Sequence, residues 1–369
     1  MLFAKLNDLS IGGKGAYGIA ASAVERKADL PTYLRITDIF DDGTLNLSEL
    51  KSVDAPNSDK YLLKPNDIVF ARTGGSTGRN YFYDGSDGVF VYAGFLIKFS
   101  IDPEKVNPKY VKYYCRSKQY NDWVQSFNTG STRGNINAQT FGNMEIPLPE
   151  RKQQDYLVSI LEPIDEKIKN NKQVNDNLQQ QAQAIYSSMF IDNPDPAWSH
   201  GHLSDLITVK YGKDHKKLAD GIYPVYGSGG IMRYVERPLY NKESVLIPRK
   251  GTLNNVMYVN QPFWSVDTMF YTEMKLPNVA KFVYHFVKAK DLASMNAGSA
   301  VPSMTTDILN AMEVVIPSAS ALEEFESLVA PMYEAMEAND VQSKALSQIR
   351  DTLLPKLMSG EIDVSDVQL

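Results

Sequence analysis

The strongest constraint on the fold is an internal duplication, in which residues 128–190 recur without a gap 168 positions later. Identical residues occupy matching positions along the stretch. The matched pairs include Asn128 with Asn296, Met144 with Met312, Pro163 with Pro331, Asn171 with Asn339, and Leu178 with Leu346. A fixed offset over about sixty residues indicates a duplicated structural unit. We therefore expect two copies of one unit, and a partner with approximate two-fold symmetry.

Both copies contain a heptad pattern of mostly apolar residues. In the first copy, the residues spaced alternately four and three apart are Leu157, Leu161, Ile164, Ile168, Asn171, Asn175, Leu178, Ala182, Ile185 and Met189. The matching positions of the second copy hold Phe325, Val329, Met332, Met336, Asn339, Ser343, Leu346, Arg350, Leu353 and Leu357. Such spacing is typical of a coiled-coil seam. One such stretch could be an amphipathic helix packed on its own domain, but two in the same register favour mutual pairing.

An asparagine occupies the same seam position in both copies, at Asn171 and Asn339. A polar residue in an apolar seam costs stability but specifies register and partner. In an antiparallel pair the two asparagines would lie near the midpoint and could hydrogen-bond each other. Pro163 and Pro331 lie in the second heptad, where a proline either starts a helix or kinks it. The segments upstream look helical, which favours a kink.

The composition narrows the class of protein. A chain of 369 residues is long enough for two or three domains. It has no run of about eighteen apolar residues and no signal peptide, so we expect a soluble, cytoplasmic protein. Cys115 is the single cysteine, which excludes an internal disulfide and a cysteine-based zinc site. The histidines show no H-E-x-x-H spacing, so we expect no bound metal.

The net charge of −6 is unevenly distributed along the chain. Residues 1–149 and 198–317 carry +1 and +3, whereas residues 150–192 and 318–369 carry −2 and −7. DNA binding requires a local basic surface rather than a high overall pI. The distribution therefore permits DNA binding without demonstrating it.

The chain divides into six segments. Residues 1–149 and 198–317 combine strand-like runs with a helical segment, residues 150–192 and 318–360 are the heptad helices, residues 193–197 form a proline-containing linker, and residues 361–369 form a tail. The two globular regions share a skeleton. KLNDLSI (5–11) resembles HLSDLITV (202–209), and KPNDIVFARTGG (64–75) resembles NKESVLIPRKGT (241–252), which aligns Arg72 with Arg249. A similar framework with different decoration is expected of two readers of different targets.

Loops rich in glycine, arginine and hydroxyl groups are candidate DNA contacts, although each could be an ordinary polar turn. Glycine lets the backbone approach a phosphate, and polar side chains supply donors to phosphates or base edges. The candidate residues are Arg72, Thr73, Gly74, Ser76, Arg79, Arg133, Asn135, Asn137, Lys216, Lys217, Arg249, Lys250 and Thr252. Tyr17 and Tyr226, in glycine-flanked loops, are expected either to stack on nucleic acid or to be buried.

The sequence contains no recognisable catalytic motif. The P-loop pattern G-x-x-x-x-G-K-[ST] is absent, because GGKG (12–15) lacks the spacing. The N-P-P-[FY] and D-P-P-Y signatures of adenine methyltransferases are absent too, and no nuclease core stands out. We therefore expect a protein that is not an enzyme, and no cofactor bound by this chain.

These motifs, in this order, resemble the specificity subunit of type I restriction–modification systems. The resemblance covers essentially the whole chain and is carried by YLRITDI (33–39), DIVFARTGGSTG (67–78), residues 130–161, DEKIKNNKQ (165–173), AGSAVPSMTTDILNAMEVVIP (297–317) and TLLPKLMSGEIDV (352–364). In the second copy, Val301-Pro302-Ser303 replaces Arg133-Gly134-Asn135, so a contact by Arg133 is not transferred to Val301.

The resemblance implies an α+β fold, with two mixed α/β target-recognition domains separated by two long antiparallel coiled-coil helices and related by a pseudo-two-fold axis. It implies a sequence-specific DNA-binding subunit that reads a bipartite, asymmetric target, one half-site per domain. The implied partners are double-stranded DNA, two modification subunits that bind S-adenosylmethionine, and restriction subunits that use ATP and magnesium. The alternative is a coiled-coil scaffold with protein- or glycan-binding end domains and no role on DNA.

Overall fold

The strand-like runs of the first segment form small sheets flanked by short helices. The computed structural model describes residues 2–127, 134–295 and 303–362. The strands are β1 (Leu2–Lys5), β2 (Ala16–Tyr17), β3 (Ala23–Val24), β4 (Thr32–Leu34), β5 (Lys51–Val53), β6 (Asp67–Ala71), β7 (Asn80–Tyr83), β8 (Phe90–Tyr92), β9 (Leu96–Ser100) and β10 (Glu145–Leu148). The helices are α1 (Pro108–Tyr114), α2 (Lys118–Gln125) and α3 (Ala138–Gly142).

These strands pair mainly with antiparallel neighbours. A four-stranded sheet has the order β2-β9-β6-β7, a second has the order β3-β5-β4-β8, and β1 pairs with β10. Only the pairing of β4 with β8 is parallel among the described strands of this region. The central strand β6 is buried at every position; Ile68 to Ala71 are apolar, and Asp67 accepts hydrogen bonds from Lys98 and Ser100.

Side-chain caps set the starts of the short helices. Asn107 caps α1 by accepting the Lys109 N–H at 3.0 Å, and Pro108 occupies the first turn, where its missing N–H is not needed. Asn137 caps α3 in the same way, through the Thr140 N–H at 2.9 Å. The helix starts thus follow from local sequence.

The second segment repeats the arrangement. After the long helix α4 (Arg151–Ser187), which is extended by a π-helical turn (Ser188–Asp192), the elements are β11 (Ser199–His202), α5 (Leu203–Leu206), β12 (Ile207–Tyr211), β13 (Asp220–Gly227), β14 (Gly230–Val235), β15 (Ser244–Pro248), β16 (Met257–Val259), β17 (Trp264–Ser265), β18 (Met269–Met274), α6 (Ala280–Lys288), α7 (Thr306–Asn310), β19 (Glu313–Ile316) and α8 (Ala319–Ser359). The main sheet has the order β12-β18-β15-β16, which matches β2-β9-β6-β7 strand for strand. A smaller sheet, β14-β13-β17, and the pair β11-β19 complete it.

Two compact units result, and each contains part of both long helices. Unit 1 comprises residues 1–169 and 342–369, and unit 2 comprises residues 170–341. The core of unit 1 includes Leu157 and Leu161 of α4 together with Leu354 and Met358 of α8. In unit 2, Tyr186 of α4 lies in one core with residues of α8 such as Phe325.

The long helices are continuous through their prolines. Pro163 lies inside α4 and Pro331 lies inside α8. Neither helix therefore begins at its proline, which excludes the alternative in which the proline starts the helix. None of the seam positions predicted from the heptad pattern is exposed, whereas most of the positions between them are.

The two helices run antiparallel within unit 2, where side chains connect them in order. The Asn171 amide donates to the Asn339 carbonyl at 3.3 Å, and the Asn175 amide donates to the Met336 carbonyl at 3.1 Å. The Asn339 amide donates back to the side-chain oxygen of Asn175 at 2.8 Å. We call these bonds the asparagine ladder. The hydrogen bond expected between Asn171 and Asn339 exists, but it goes to the backbone carbonyl.

No described helix has both the length and the apolar character that a membrane crossing requires.

A buried histidine joins α6 to both long helices in unit 2. His285 is fully buried, with one ring nitrogen 2.7 Å from the Gln183 side chain and the other 3.0 Å from the Tyr333 hydroxyl. Burial lowers the pKa of His285 to about 4, from an ordinary value of 6.5. The folded protein therefore keeps this imidazole neutral at a pH where the unfolded chain protonates it.

We expect this histidine to destabilise the protein as the pH falls from about 6.5 towards 4, because the unfolded state then binds a proton that the folded state excludes. Between pH 7 and pH 5 the free energy of unfolding should drop by on the order of 1–2 kcal/mol more in the wild type than in His285→Gln. Urea titrations at both pH values measure this difference. Tyr333→Phe keeps the imidazole and should retain the wild-type pH dependence. Equal pH dependence of the wild type and His285→Gln would contradict the prediction.

Candidate nucleic-acid interface

The candidate loops of unit 1 meet at one backbone junction. The Arg72 carbonyl, at the end of β6, accepts the Ile136 N–H at 2.9 Å, and Thr73 forms a bridge with Asn135. The Thr77 hydroxyl ties the same loop to the Gly134 carbonyl at 2.8 Å. The structure thus brings together the two loops that sequence alone presented separately.

Unit 2 builds the same junction from different residues. The Arg249 carbonyl accepts the Met304 N–H at 2.9 Å, and Lys250 forms a bridge with Ser303. Arg249 follows β15 as Arg72 follows β6. The alignment of Arg72 with Arg249 is thus matched by the backbone, even where Ser303 replaces Asn135.

A tyrosine lies against the arginine at each junction. The Arg72 guanidinium carbon is 5.2 Å from the ring centre of Tyr17, and the Arg249 guanidinium carbon is 5.3 Å from that of Tyr211. These distances fit cation–π contacts. We call Tyr17 with Arg72, and Tyr211 with Arg249, the Tyr–Arg pairs. Both rings are exposed, at 43% for Tyr17 and 52% for Tyr211.

The sheet register explains why the pairs form twice. Tyr17 and Phe70 both pair with Ile97, and Tyr211 and Ile247 both pair with Phe270. The arginine follows two residues after Phe70 in unit 1 and two residues after Ile247 in unit 2. The same rung of each main sheet therefore brings the tyrosine and the arginine together.

A glycine after each tyrosine is required by close packing. A Cβ on Gly18 would lie 2.2 Å from the Ala93 carbonyl oxygen, and a Cβ on Gly212 would lie 2.0 Å from the Val266 carbonyl oxygen. No side chain fits at these distances. The two sites thus share a Tyr-Gly dipeptide, although Tyr226-Gly227 has the same sequence and its tyrosine is buried.

The tyrosines are held in place by different partners. The Tyr17 hydroxyl accepts the Ala138 N–H at 3.1 Å, at the start of α3. The Tyr211 ring makes an edge-to-face contact with Phe270, with ring centres 5.1 Å apart. Each aromatic surface is consequently fixed before any ligand arrives.

Tyr211 was missed by the sequence reasoning, which singled out Tyr17 and Tyr226. Tyr226 is buried, at 9% exposure, and lies in a hydrophobic core of unit 2 rather than at the site. The missed signal was Tyr211-Gly212, which repeats Tyr17-Gly18. Between the shared Leu-x-Asp-Leu start and Tyr-Gly, the first copy has three more residues than the second, which hides the match.

The arginines differ in how far the protein already engages them. Arg79 is paired with Asp41 at 2.6 Å and donates to the Ile39 carbonyl at 3.1 Å. Arg72, by contrast, donates no side-chain hydrogen bond to any described residue, and its Nε is shielded from solvent without a partner. Arg249 donates to the Asp267 carbonyl at 3.3 Å. Arg72 therefore retains its donors for a ligand, whereas a DNA contact by Arg79 requires its ion pair to open.

The remaining candidates of unit 1 divide into exposed and structural residues. Asn135 and Gly74 border the junction, and a Cβ on Gly74 would meet open space despite its positive φ of 76°. Ser76 is buried, and the Asn137 side chain caps α3. Arg133 lies outside the described residues.

The remaining candidates of unit 2 are exposed. Lys250 and Thr252 follow Arg249 in a loop with Gly251 at a φ of 86°, and Lys216 and Lys217 lie in the turn after β12. Cationic side chains at the surface suit phosphate contacts. Within the described part of the chain, no cluster of three or more His, Cys, Asp or Glu side chains could hold a metal ion.

Comparison with known families agrees with this arrangement. The model for the type I restriction modification DNA specificity domain matches residues 25–180 and again residues 197–325. The two matches cover most of the chain, and each includes one of the two globular regions. The chain belongs to this family of DNA specificity proteins.

Similar proteins carry the same description. The MjaIX specificity subunit of Methanocaldococcus jannaschii is 24% identical over 72% of this chain and 72% of its own length. The HindI specificity subunit of Haemophilus influenzae is 21% identical over 92% of this chain and 97% of its own. The crystal structure of a type I S subunit from M. genitalium matches with a TM-score of 0.58 and 19% identity, over 96% of this chain and 95% of that one.

The family assignment confirms two predictions made from the sequence. This specificity subunit is a DNA-recognition component rather than an enzyme. Its α+β fold, with a repeated domain and a long antiparallel helix pair, is the fold of the M. genitalium S subunit. The DNA contacts of the individual residues named above remain predictions.

Exposed lysines provide a first test. Because each phosphate contact releases counterions, Lys216→Ala with Lys217→Ala should lower the slope of log affinity against log salt by about two. Binding of the full chain to a DNA duplex at several salt concentrations measures this slope. Lys152→Ala with Lys172→Ala removes the same charge from exposed positions on α4 and should leave the slope unchanged. A slope that falls equally in both double variants would count against a contact at Lys216 and Lys217.

Proposed function

We propose that this specificity subunit reads a bipartite, asymmetric DNA target, with one half-site for the domain of residues 1–149 and the other for the domain of residues 198–317. One observation carries the proposal: each unit presents the same Tyr–Arg pair on the same sheet rung, surrounded by loops that differ. A repeated framework with divergent surfaces suits two readers of two sequences.

The partners follow from the same proposal. A chain without catalytic residues needs modification subunits to transfer a methyl group from S-adenosylmethionine, and restriction subunits to cut DNA with ATP and magnesium. We propose that two modification subunits dock on the helical parts of this chain, which carry net charges of −2 and −7. The more basic globular regions are then free to contact DNA.

Domain replacement tests the division of labour. In the complex with modification subunits, a relative's domain in place of residues 1–149 should change one half of the methylated motif and leave the other half intact. Sequencing of methylated sites in the host genome gives the complete motif. The graft should retain Lys112, Tyr113 and Arg116, because these side chains contact Asp165 of α4.

The reciprocal replacement of residues 198–317 is the matched control and should change the opposite half. Loss of both halves in a stably folded graft would argue against independent readers. If the chain were a scaffold without a role on DNA, neither the wild type nor the grafted variants would produce a methylation motif.

The helices provide a second test, because we propose that they set the gap between the half-sites. α4 contains 37 residues and spans roughly 55 Å at 1.5 Å per residue. Seven residues inserted after Lys169 and seven after Val341 preserve the heptad phase of both helices. The insertion adds roughly 10 Å, which corresponds to about three base-pair steps.

The methylated motif of this variant should keep both half-sites and show a gap about three base pairs wider. The control is an insertion in α4 alone, which puts the helices out of register and should lower the thermal stability. A stable, active double insertion that retained the original gap would show that the helices do not measure it.

A further inference from the structure

The Tyr–Arg pairs are the feature that the two units share most closely at their candidate DNA surfaces. The arginine–tyrosine distances are 5.2 and 5.3 Å, and each arginine carbonyl accepts an N–H at 2.9 Å, from Ile136 in unit 1 and from Met304 in unit 2. The surroundings differ. Unit 1 contains the four-stranded sheet β3-β5-β4-β8, whereas unit 2 contains the three-stranded sheet β14-β13-β17 with the hairpin of β13 and β14.

The geometry leaves hydrogen-bond donors free at both arginines. A guanidinium that lies over a ring keeps its N–H groups in its own plane, directed away from the ring. Among the described residues, no carboxylate pairs with Arg72 or Arg249, although Arg79 and Arg233 pair with Asp41 and Asp220. The Arg72 Nε is shielded from solvent and has no hydrogen-bond partner among the residues that the structure describes.

A contact that is common to both units cannot distinguish two different half-sites. Phosphate contacts position a protein on DNA, whereas contacts with base edges carry the sequence information. The element that both units repeat therefore suits the phosphate, and the elements that differ suit the bases. Planar, bidentate donors are also the geometry that a phosphate accepts.

We propose that the two Tyr–Arg pairs are phosphate anchors, one for each half-site, and that they carry no sequence information. The proposal rests on the proposed function in DNA recognition. Tyr17 and Tyr211 hold the guanidinium groups of Arg72 and Arg249 in place for a backbone phosphate. The base-reading residues lie outside the pairs, in the parts of each unit that the other lacks.

Neutral variants of the arginines test the anchors in the complex with modification subunits. Arg72→Gln and Arg249→Gln should each weaken binding by about ten-fold, to target and non-target duplexes alike. Each should also lower the salt slope by about one. The methylated motif should remain unchanged in both variants.

A neutral phosphate provides the direct probe. Methylphosphonate is placed at one backbone position at a time along a target duplex. One position in each half-site should weaken wild-type binding, yet have no further effect on the matching arginine variant. Arg72→Gln should be insensitive in one half-site and Arg249→Gln in the other.

Arginines whose side chains already bind other residues of the protein provide control variants. Arg233→Gln changes an arginine that is bound to Asp220, and Arg26→Gln changes one that donates to the Lys27 carbonyl and the Ser52 hydroxyl. Both should retain the wild-type affinity and salt slope. Tyr17→Leu should weaken binding without changing the salt slope, because the charge remains while its support is lost. Thermal unfolding identifies any variant that fails to fold.

Three results would overturn the proposal. A changed base in the motif of Arg72→Gln or Arg249→Gln would show that the arginine reads sequence. Unchanged affinity in a folded arginine variant would show that the pair is structural. Full additivity of methylphosphonate and arginine variant at every position would place the phosphate elsewhere. Failure of the proposed function is distinct, because the wild-type complex itself would then show no salt-dependent binding of DNA.

Discussion

The register between α4 and α8 is the constraint on which both cores depend, because each core contains residues of both helices. Apolar heptads alone fit at shifts of seven residues, so they do not select one register. The asparagine ladder does. Asn171 is 2% exposed, and a shifted register would leave its amide buried without the Asn339 carbonyl. A buried polar group without a partner costs about 1–3 kcal/mol, which is enough to favour a single alignment.

Each unit then fixes its domain to the helices with a buried polar cluster. In unit 1, Asp165 of α4 contacts Arg116 at 2.8 Å and Arg350 of α8 at 3.1 Å. Burial alone would raise the pKa of Asp165, but Arg116, Lys112 and Arg350 outweigh it and hold the pKa at about 2. The carboxylate is therefore charged at neutral pH. These side chains are only slightly exposed, so loss of one cationic partner should leave the Asp165 carboxylate poorly solvated and destabilise unit 1.

Unit 2 attaches its domain to the long helices through different polar side chains. Lys281 of α6 is buried and contacts Glu326 of α8 at 2.6 Å, and the neutral His285 bridges Gln183 and Tyr333. The sequence KYVKYYCR (109–116) matches KFVYHFVK (281–288). The two short helices therefore correspond to each other, although their polar contacts with the long helices differ. The requirement that persists is attachment of the domain to the helix pair, not a particular ion pair.

The sequence predicted the elements whose signal is periodic or local. The heptads from Leu157 onwards gave the long helices, and the run DIVFA gave β6, because both patterns report burial along one chain segment. The parallel pairing of β4 with β8 was not predictable, since it joins residues 58 positions apart, as in Thr32 with Phe90. Arg79 shows the same limit within the site. Its partner Asp41 lies 38 positions away, and no short pattern marks that contact.

The missed Tyr211 shows why a duplicated framework is easier to find in space than along the chain. Three extra residues before Tyr17 shift the offset, whereas the sheet rung through Ile97 and Phe270 is unaffected. A rung fixed by backbone hydrogen bonds tolerates changes in loop length, because loop closure costs little for each added residue. The surrounding loops can therefore diverge without moving the arginine. That separation of a constant framework from variable loops is the physical condition under which one fold can read two different sequences.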